Sequence, residues 1–150
     1  MTDGDREFLV ELYGSVREPE LAHVPWDGAA RGAFIEHQFA AQDVHYRKHY
    51  PGATLDVIEL DGSRAGRLYV HRGARDIRIM DIALMPEFRG QGIGSDLLRS
   101  LIAEAEASDR TLSIHVEHNN PARRLYERLG FQYAGEHGVY VLMVYVNTAS

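Results

Sequence analysis

The fold is decided by Ile79-Met80-Asp81-Ile82-Ala83-Leu84-Met85-Pro86-Glu87-Phe88-Arg89-Gly90-Gln91-Gly92-Ile93-Gly94. Ile77, Ile79, Ile82 and Leu84 make a mostly apolar run of strand length. Met85-Pro86 ends it, because proline has no N–H to give to a sheet ladder. Three glycines at alternate positions follow, and from Asp96 to Ala107 leucines and an isoleucine recur at helical spacing. The order is strand, glycine loop, helix.

Such a loop has a chemistry of its own. Without Cβ atoms, several backbone N–H groups can converge on one anion, and the helix that follows adds its unsatisfied N–H groups and the positive end of its dipole. Arg89 adds a positive charge. The bland alternative is a turn that changes the chain's direction without strain. Two nucleotide motifs fit poorly. A P-loop needs Lys-Ser/Thr after its last glycine, where this chain has Ser95-Asp96; a dinucleotide fingerprint reads G-x-G-x-x-G, where this chain reads G-x-G-x-G late in its length.

Arg89-Gly90-Gln91-Gly92-Ile93-Gly94 resembles the acetyl-CoA pyrophosphate loop of the GNAT (GCN5-related N-acetyltransferase) superfamily. A second block, from Asn119-Asn120-Pro121-Ala122 through Leu125-Tyr126 to Leu129-Gly130-Phe131, resembles that family's other signature in the expected order and separation. The resemblance spans roughly Thr54 to Val146. It implies an α/β (α+β) fold: a mixed, mostly antiparallel sheet of about six to seven strands, helices on both faces, and a parallel strand pair flanking an acetyl-CoA site. Its implied activity is direct transfer of an acetyl group from acetyl-CoA to a primary amine. The alternative is a non-catalytic acyl-CoA sensor or interaction module that keeps the cradle and lacks turnover.

The length of 150 residues suits one domain with a real core. No apolar run approaches a membrane span and the first residues lack the pattern of a signal peptide, so the cytoplasm is the default expectation. With no cysteine, disulfides, thiolate metal ligands and an acyl-cysteine mechanism are excluded. A net charge of −6 argues against general nucleic-acid binding. His37, His45 and His49 sit at helical spacings, but nothing around them resembles a zinc set, and no metal is expected. A homodimer is compatible with the family outline.

Along the chain, Phe8, Leu9 and Leu12 predict a helix from Asp5 to about Val16, followed by a loop from Glu18 to Gly28. Members of that family usually begin with a strand before this helix; Met1–Gly4 is too short and polar to supply it, so that edge of the sheet is expected to be missing. Asp27 caps a second helix over about Gly28 to His49, stopped by Tyr50-Pro51-Gly52. Thr54–Leu60 and Arg67–Val70 read as strands joined at Asp61-Gly62, and the next strand leads into Leu84. Thr111–Val116 alternates cleanly as a strand and, being joined to its predecessor by a helix, should lie parallel to it. Asn119 or Asn120 then caps a helix closed by Gly130, and Phe131–Tyr133 and Val139–Val146 form a closing hairpin.

The resemblance also assigns roles. The backbone of Ile82, Ala83 and Leu84 bonds the pantetheine arm, with the Leu84 N–H facing the thioester oxygen; Arg89, Gly90, Gln91, Gly92, Ile93 and Gly94 take the pyrophosphate. Asn119 contacts the cofactor, and Tyr126 protonates the leaving thiolate, since a phenol carries its proton at neutral pH as that role requires. The plain reading of Tyr126 is an aromatic packed in a helix stripe. For a general base, Glu117 leads, with His115 and Asp81 as others, and water suffices for an α-amino group already partly neutral. Trp26, Gln38, Gln42, Tyr46 and Tyr140 are acceptor-site candidates by location, and the acceptor itself is open.

Overall fold

The computed structural model describes residues 5–21, 25, 27–117 and 120–146. In chain order come helices α1 (Arg6–Leu21) and α2 (Gly28–His49), strands β1 (Thr54–Leu60), β2 (Ser63–Arg72) and β3 (Asp76–Leu84), a 3-10 turn at Pro86–Phe88, and helix α3 (Ile93–Ala107). Strand β4 (Thr111–Glu117), helix α4 (Arg123–Arg128) and strands β5 (Gln132–His137) and β6 (Tyr140–Tyr145) complete the described elements. The six strands form one sheet in the order β1-β2-β3-β4-β6-β5.

The chain divides into two compact units. The first runs to Tyr69 and takes in Asp81–Arg89; the second comprises Val70–Met80 and the chain from Gly90 onward. In the first, α1 and α2 share a core of Leu9, Tyr13 and Phe39, with Phe8, Val10, Ile35 and Val57 packed on it. The Tyr13 and Phe39 rings meet edge-on at 6.4 Å. Two consecutive left-handed residues, Asp61 (φ 51°) and Gly62 (φ 82°), turn β1 tightly into β2, so the two are antiparallel.

Helix α1 runs further than its sequence pattern suggests. Its last turn reaches past Pro19 to Leu21, and Glu18 in that turn is held by Arg31 of α2 at 3.0 Å, so the expected loop is shorter. Helix α2 matches its expected limits: the Asp27 carboxylate accepts from the Ala30 N–H at 2.7 Å.

In the second unit β3 and β4 pair in parallel, Asp76 opposite Thr111 through Ile79 opposite Ile114. Strand β6 pairs antiparallel with β4 on one side and β5 on the other, with a bulge between Tyr133 and Gly135. Buried Leu98, Leu101 and Ala105 form the inner face of α3, and Ile77, Ile79, Leu112, Ile114, Val116, Val141 and Met143 are buried in the strands. Each such leucine or isoleucine contributes ~1.5–3 kcal/mol when fully buried. Arg72 and Arg110 both reach Glu104 on α3, at 2.5 and 3.7 Å.

The fold is therefore mixed α/β with four helices and six strands among the described residues, mostly antiparallel with one parallel pair. No described helix is long and apolar enough to cross a membrane.

Candidate functional site

Strand β3 changes character along its length. Ile77 and Ile79 are buried, whereas every residue from Met80 to Leu84 is half-buried. The strand's end is fixed from two sides: the Met85 N–H donates to the Ala65 carbonyl at 2.7 Å, and Arg89 Nε donates to the Leu84 carbonyl at 3.0 Å. Arg89, expected as a charge for the phosphates, thus commits one of its five donors to the chain that carries Ile82, Ala83 and Leu84.

Beneath this strand end lies a polar group in a core position. Arg67 of β2 is 3% exposed; its Nη2 donates to the Gln42 amide oxygen at 2.7 Å and pairs with the Asp81 carboxylate. Its guanidinium lies 4.7 Å from the centre of the Tyr69 ring, and Tyr46 meets Tyr69 edge-on at 5.9 Å. Burial is the largest single influence and pulls the Arg67 pKa down, but the charge and hydrogen bond of Asp81 together with Tyr69 and Tyr46 outweigh it and leave the pKa raised. Burial likewise raises the Tyr69 phenol, against the opposing pull of Arg67. Gln42 and Tyr46, expected as acceptor contacts, are here engaged with Arg67 and Tyr69; Gln38 is half-buried on the same helix.

In the second unit the glycine loop enters α3 through Gly92, whose φ of 82° makes it a left-handed N-cap. Among the described residues no side chain caps the helix, and a Cβ at Gly90, Gly92 or Gly94 would meet nothing within 4 Å. The helix begins at Ile93, three residues ahead of the expected Asp96, because Gly92 supplies the turn and its carbonyl accepts from the Asp96 N–H at 3.0 Å. An open, uncapped helix start preceded by a left-handed glycine is a place where N–H groups face an anion. Gln91 is exposed on this loop and Ile93 is half-buried.

Glu117 ends β4 with its side chain exposed, opposite Tyr140 of β6, which is 39% exposed. His115 is also exposed, and its Nδ1 lies 3.0 Å from Arg78 Nη1. Arg78 in turn donates to Ser113 at 2.7 Å, and the Ser113 hydroxyl donates to Asp76 at 2.6 Å. Of the three base candidates, His115 and Asp81 are thus tied to arginines, and Glu117 stands at a strand end. Asn119 and Trp26 lie outside the described residues. Asn120, expected as a helix cap, accepts from the Ala122 N–H at 2.9 Å in the turn ahead of α4, whose N-cap is Ala122 with no side-chain cap among the described residues.

Tyr126 is 5% exposed, and its ring lies 5.6 Å from that of Phe131, whose N–H donates to the Tyr126 carbonyl at 3.0 Å. Packing therefore holds the ring, as the plain reading expects, and leaves the hydroxyl's chemistry to be tested. His37, His45 and His49 are exposed on α2, and among the described residues no group of three His, Cys, Asp or Glu is placed to hold a metal ion. The sequence reading missed Gly66 and Arg67. For Arg67 a signal existed, an arginine at the same strand parity as Ala65 and Tyr69; for Gly66 there was none beyond its being a glycine inside a strand.

In overall fold the chain is similar to the PaiA N-acetyltransferase from Thermoplasma acidophilum, solved in complex with coenzyme A. The TM-score is 0.73 at 15% identity, covering 97% of this chain and 95% of the other. It is also similar to the ribosomal-protein-S18-alanine N-acetyltransferase from Escherichia coli, with a TM-score of 0.63 at 21% identity, covering 100% and 92%. In sequence it is 40% identical over 87 residues to a putative [ribosomal protein bS18]-alanine N-acetyltransferase of Bacillus subtilis, covering 57% of this chain and 58% of the relative. The [ribosomal protein bS18]-alanine N-acetyltransferase of Haemophilus influenzae is 41% identical over 54 residues, 35% of this chain and 37% of that one. The matched segments thus span less than two thirds of either relative. Residues 19–131 match the model of the Acetyltransferase (GNAT) family, a span that includes the left-handed glycine loop, the uncapped start of α3 and Tyr126, and the chain belongs to that family.

Proposed function

We propose that this chain is an acetyl-CoA-dependent N-acetyltransferase that passes the acetyl group directly to a primary amine, working as one catalytic domain in the cytoplasm. The observation that carries this reading is the start of α3, where Gly92 is left-handed and, among the described residues, no side chain caps the helix and the space above the three glycines is open. Such a start supplies converging N–H donors for a pyrophosphate.

In the proposed step the amine nitrogen attacks the thioester carbonyl, forming the C–N bond as the C–S bond breaks. The Leu84 N–H stabilises the developing oxyanion. Tyr126 gives its phenolic proton to the leaving thiolate, and Glu117 or water takes the proton lost by the amine. Asn119 and the backbone of Ile82 and Ala83 hold the donor. The names of the two relatives point the acceptor toward the α-amino group of an N-terminal alanine. Such an amine, with an ordinary pKa of ~7.7–8.0, is partly neutral at pH 7 and needs no strong base.

The test is release of free CoA thiol from acetyl-CoA over a panel of amines that includes peptides beginning with alanine. Amine-dependent release supports the reading. Saturable CoA binding with no release for any amine would replace it with a non-catalytic acyl-CoA sensor.

A further inference from the structure

Gly66 lies in the middle of β2, where a side chain is normally welcome. A Cβ built on it would lie 2.1 Å from the Ala83 carbonyl oxygen and 3.0 Å from the Leu84 Cα, both backbone atoms of β3. No side-chain rotation can relieve that overlap. The carbonyl oxygen is the nearest atom, and the carbonyl carbon is not among the three nearest, so the C=O bond points at Gly66.

A trans peptide is planar, and its C=O and N–H point in opposite directions. The Ala83 carbonyl and the Leu84 N–H belong to one peptide. Because the oxygen is turned toward Gly66, the Leu84 N–H is turned away from β2. The bonds on either side agree with a fixed peptide: Met85 N–H to the Ala65 carbonyl at 2.7 Å, and Arg89 Nε to the Leu84 carbonyl at 3.0 Å.

We propose that Gly66 is a positioning residue for acetyl transfer: the missing side chain on β2 admits the Ala83 carbonyl and so aims the Leu84 N–H at the thioester oxygen. This rests on the acetyltransferase reading above. Gly66 touches neither the donor nor the acceptor in this account, and acts only through the peptide between Ala83 and Leu84.

The experiment compares wild type with Gly66→Ala in two assays: binding of 3′-phospho-ADP, the nucleotide half of CoA, and steady-state transfer from acetyl-CoA. The expected result is unchanged nucleotide affinity and unchanged KM for the amine, with kcat lower by on the order of 10²-fold, the effect of losing one oxyanion donor. A folded Gly66→Ala protein with kcat within about threefold of wild type would overturn the proposal. Wild type that binds no CoA would instead defeat the acetyltransferase reading itself. If Gly66→Ala does not fold, NMR of the wild type decides. The proposal requires a nuclear Overhauser contact between Gly66 Hα and Leu84 Hα and none from Gly66 Hα to the Leu84 N–H; the opposite pattern overturns it.

Discussion

Arg67, 3% exposed, shares its Nη2 between the Asp81 carboxylate of the neighbouring strand and the Gln42 amide of α2. A buried pair of this kind adds little net stability, because desolvation cancels most of the attraction, but breaking it is costly when a charge is left alone. The two partners differ in exposure, 4% for the Arg67 side chain against 24% for that of Asp81. Asp81→Ala strands a buried guanidinium and should cost about 3–5 kcal/mol. Arg67→Met leaves a carboxylate that water can reach, and should cost about 1–3 kcal/mol. Urea unfolding at neutral pH checks the order, and Arg67→Met as the less stable variant would contradict it.

For Tyr126, packing and chemistry separate in one substitution. Phenylalanine keeps the ring against Phe131 and removes only the hydroxyl. Turnover of Tyr126→Phe should fall on the order of 10²-fold, with CoA affinity nearly unchanged and thermal stability altered by about 1 kcal/mol or less. Because a thiolate whose conjugate acid has a pKa of ~8.5 can leave and persist unprotonated as pH rises, acid assistance matters less and the defect should shrink between about pH 6 and pH 9. Full activity across that range would remove the acid role.

Glu104 ties α3 to β2 by accepting from Arg72 Nε at 2.5 Å and Nη2 at 3.0 Å. The hydrogen bond from Arg72, more than its charge and that of Arg110, holds the Glu104 carboxyl below its ordinary pKa despite some opposing desolvation. A depressed folded pKa means stabilisation that is complete above the unfolded value, ~4.3, and is lost as pH falls through the lower folded value. With the Glu104 side chain 34% exposed, solvent screens the pair, and Glu104→Gln should cost less than about 1 kcal/mol at pH 7. Denaturation midpoints of the two proteins should converge as pH drops below ~4. A gap that widens on acidification would contradict this.

Much of the architecture was legible because periodicity and turn chemistry report it locally. Asp27 and Tyr50-Pro51-Gly52 bracket α2, Asp61-Gly62 marks the hairpin, and the alternation from Leu112 to Val116 gives β4 and its burial. The end of α1 was misjudged because a partner outside the helix sets it: its last turn is held by the Arg31–Glu18 pair. In the site, the glycine loop could be read from composition because glycine is what an open, left-handed N-cap needs. The parity of Arg67 with Ala65 and Tyr69 hinted at its burial, but its partner Asp81, and the Ala83 carbonyl that makes Gly66 special, lie across the sheet in a register that spacing within β2 does not encode.

Titration calorimetry with CoA tests the central claim, that the start of α3 holds the cofactor's pyrophosphate. Gly92→Glu is the paired variant: it puts a carboxylate where the phosphates would lie and a side chain on a left-handed residue, into space that is open in the free protein. The account predicts saturable binding of one CoA per chain to wild type, and loss of at least about tenfold in affinity for a folded Gly92→Glu protein, as expected when a like charge replaces anion-binding N–H groups. No saturable heat from wild type at millimolar CoA, or equal affinity in the two proteins, would contradict it.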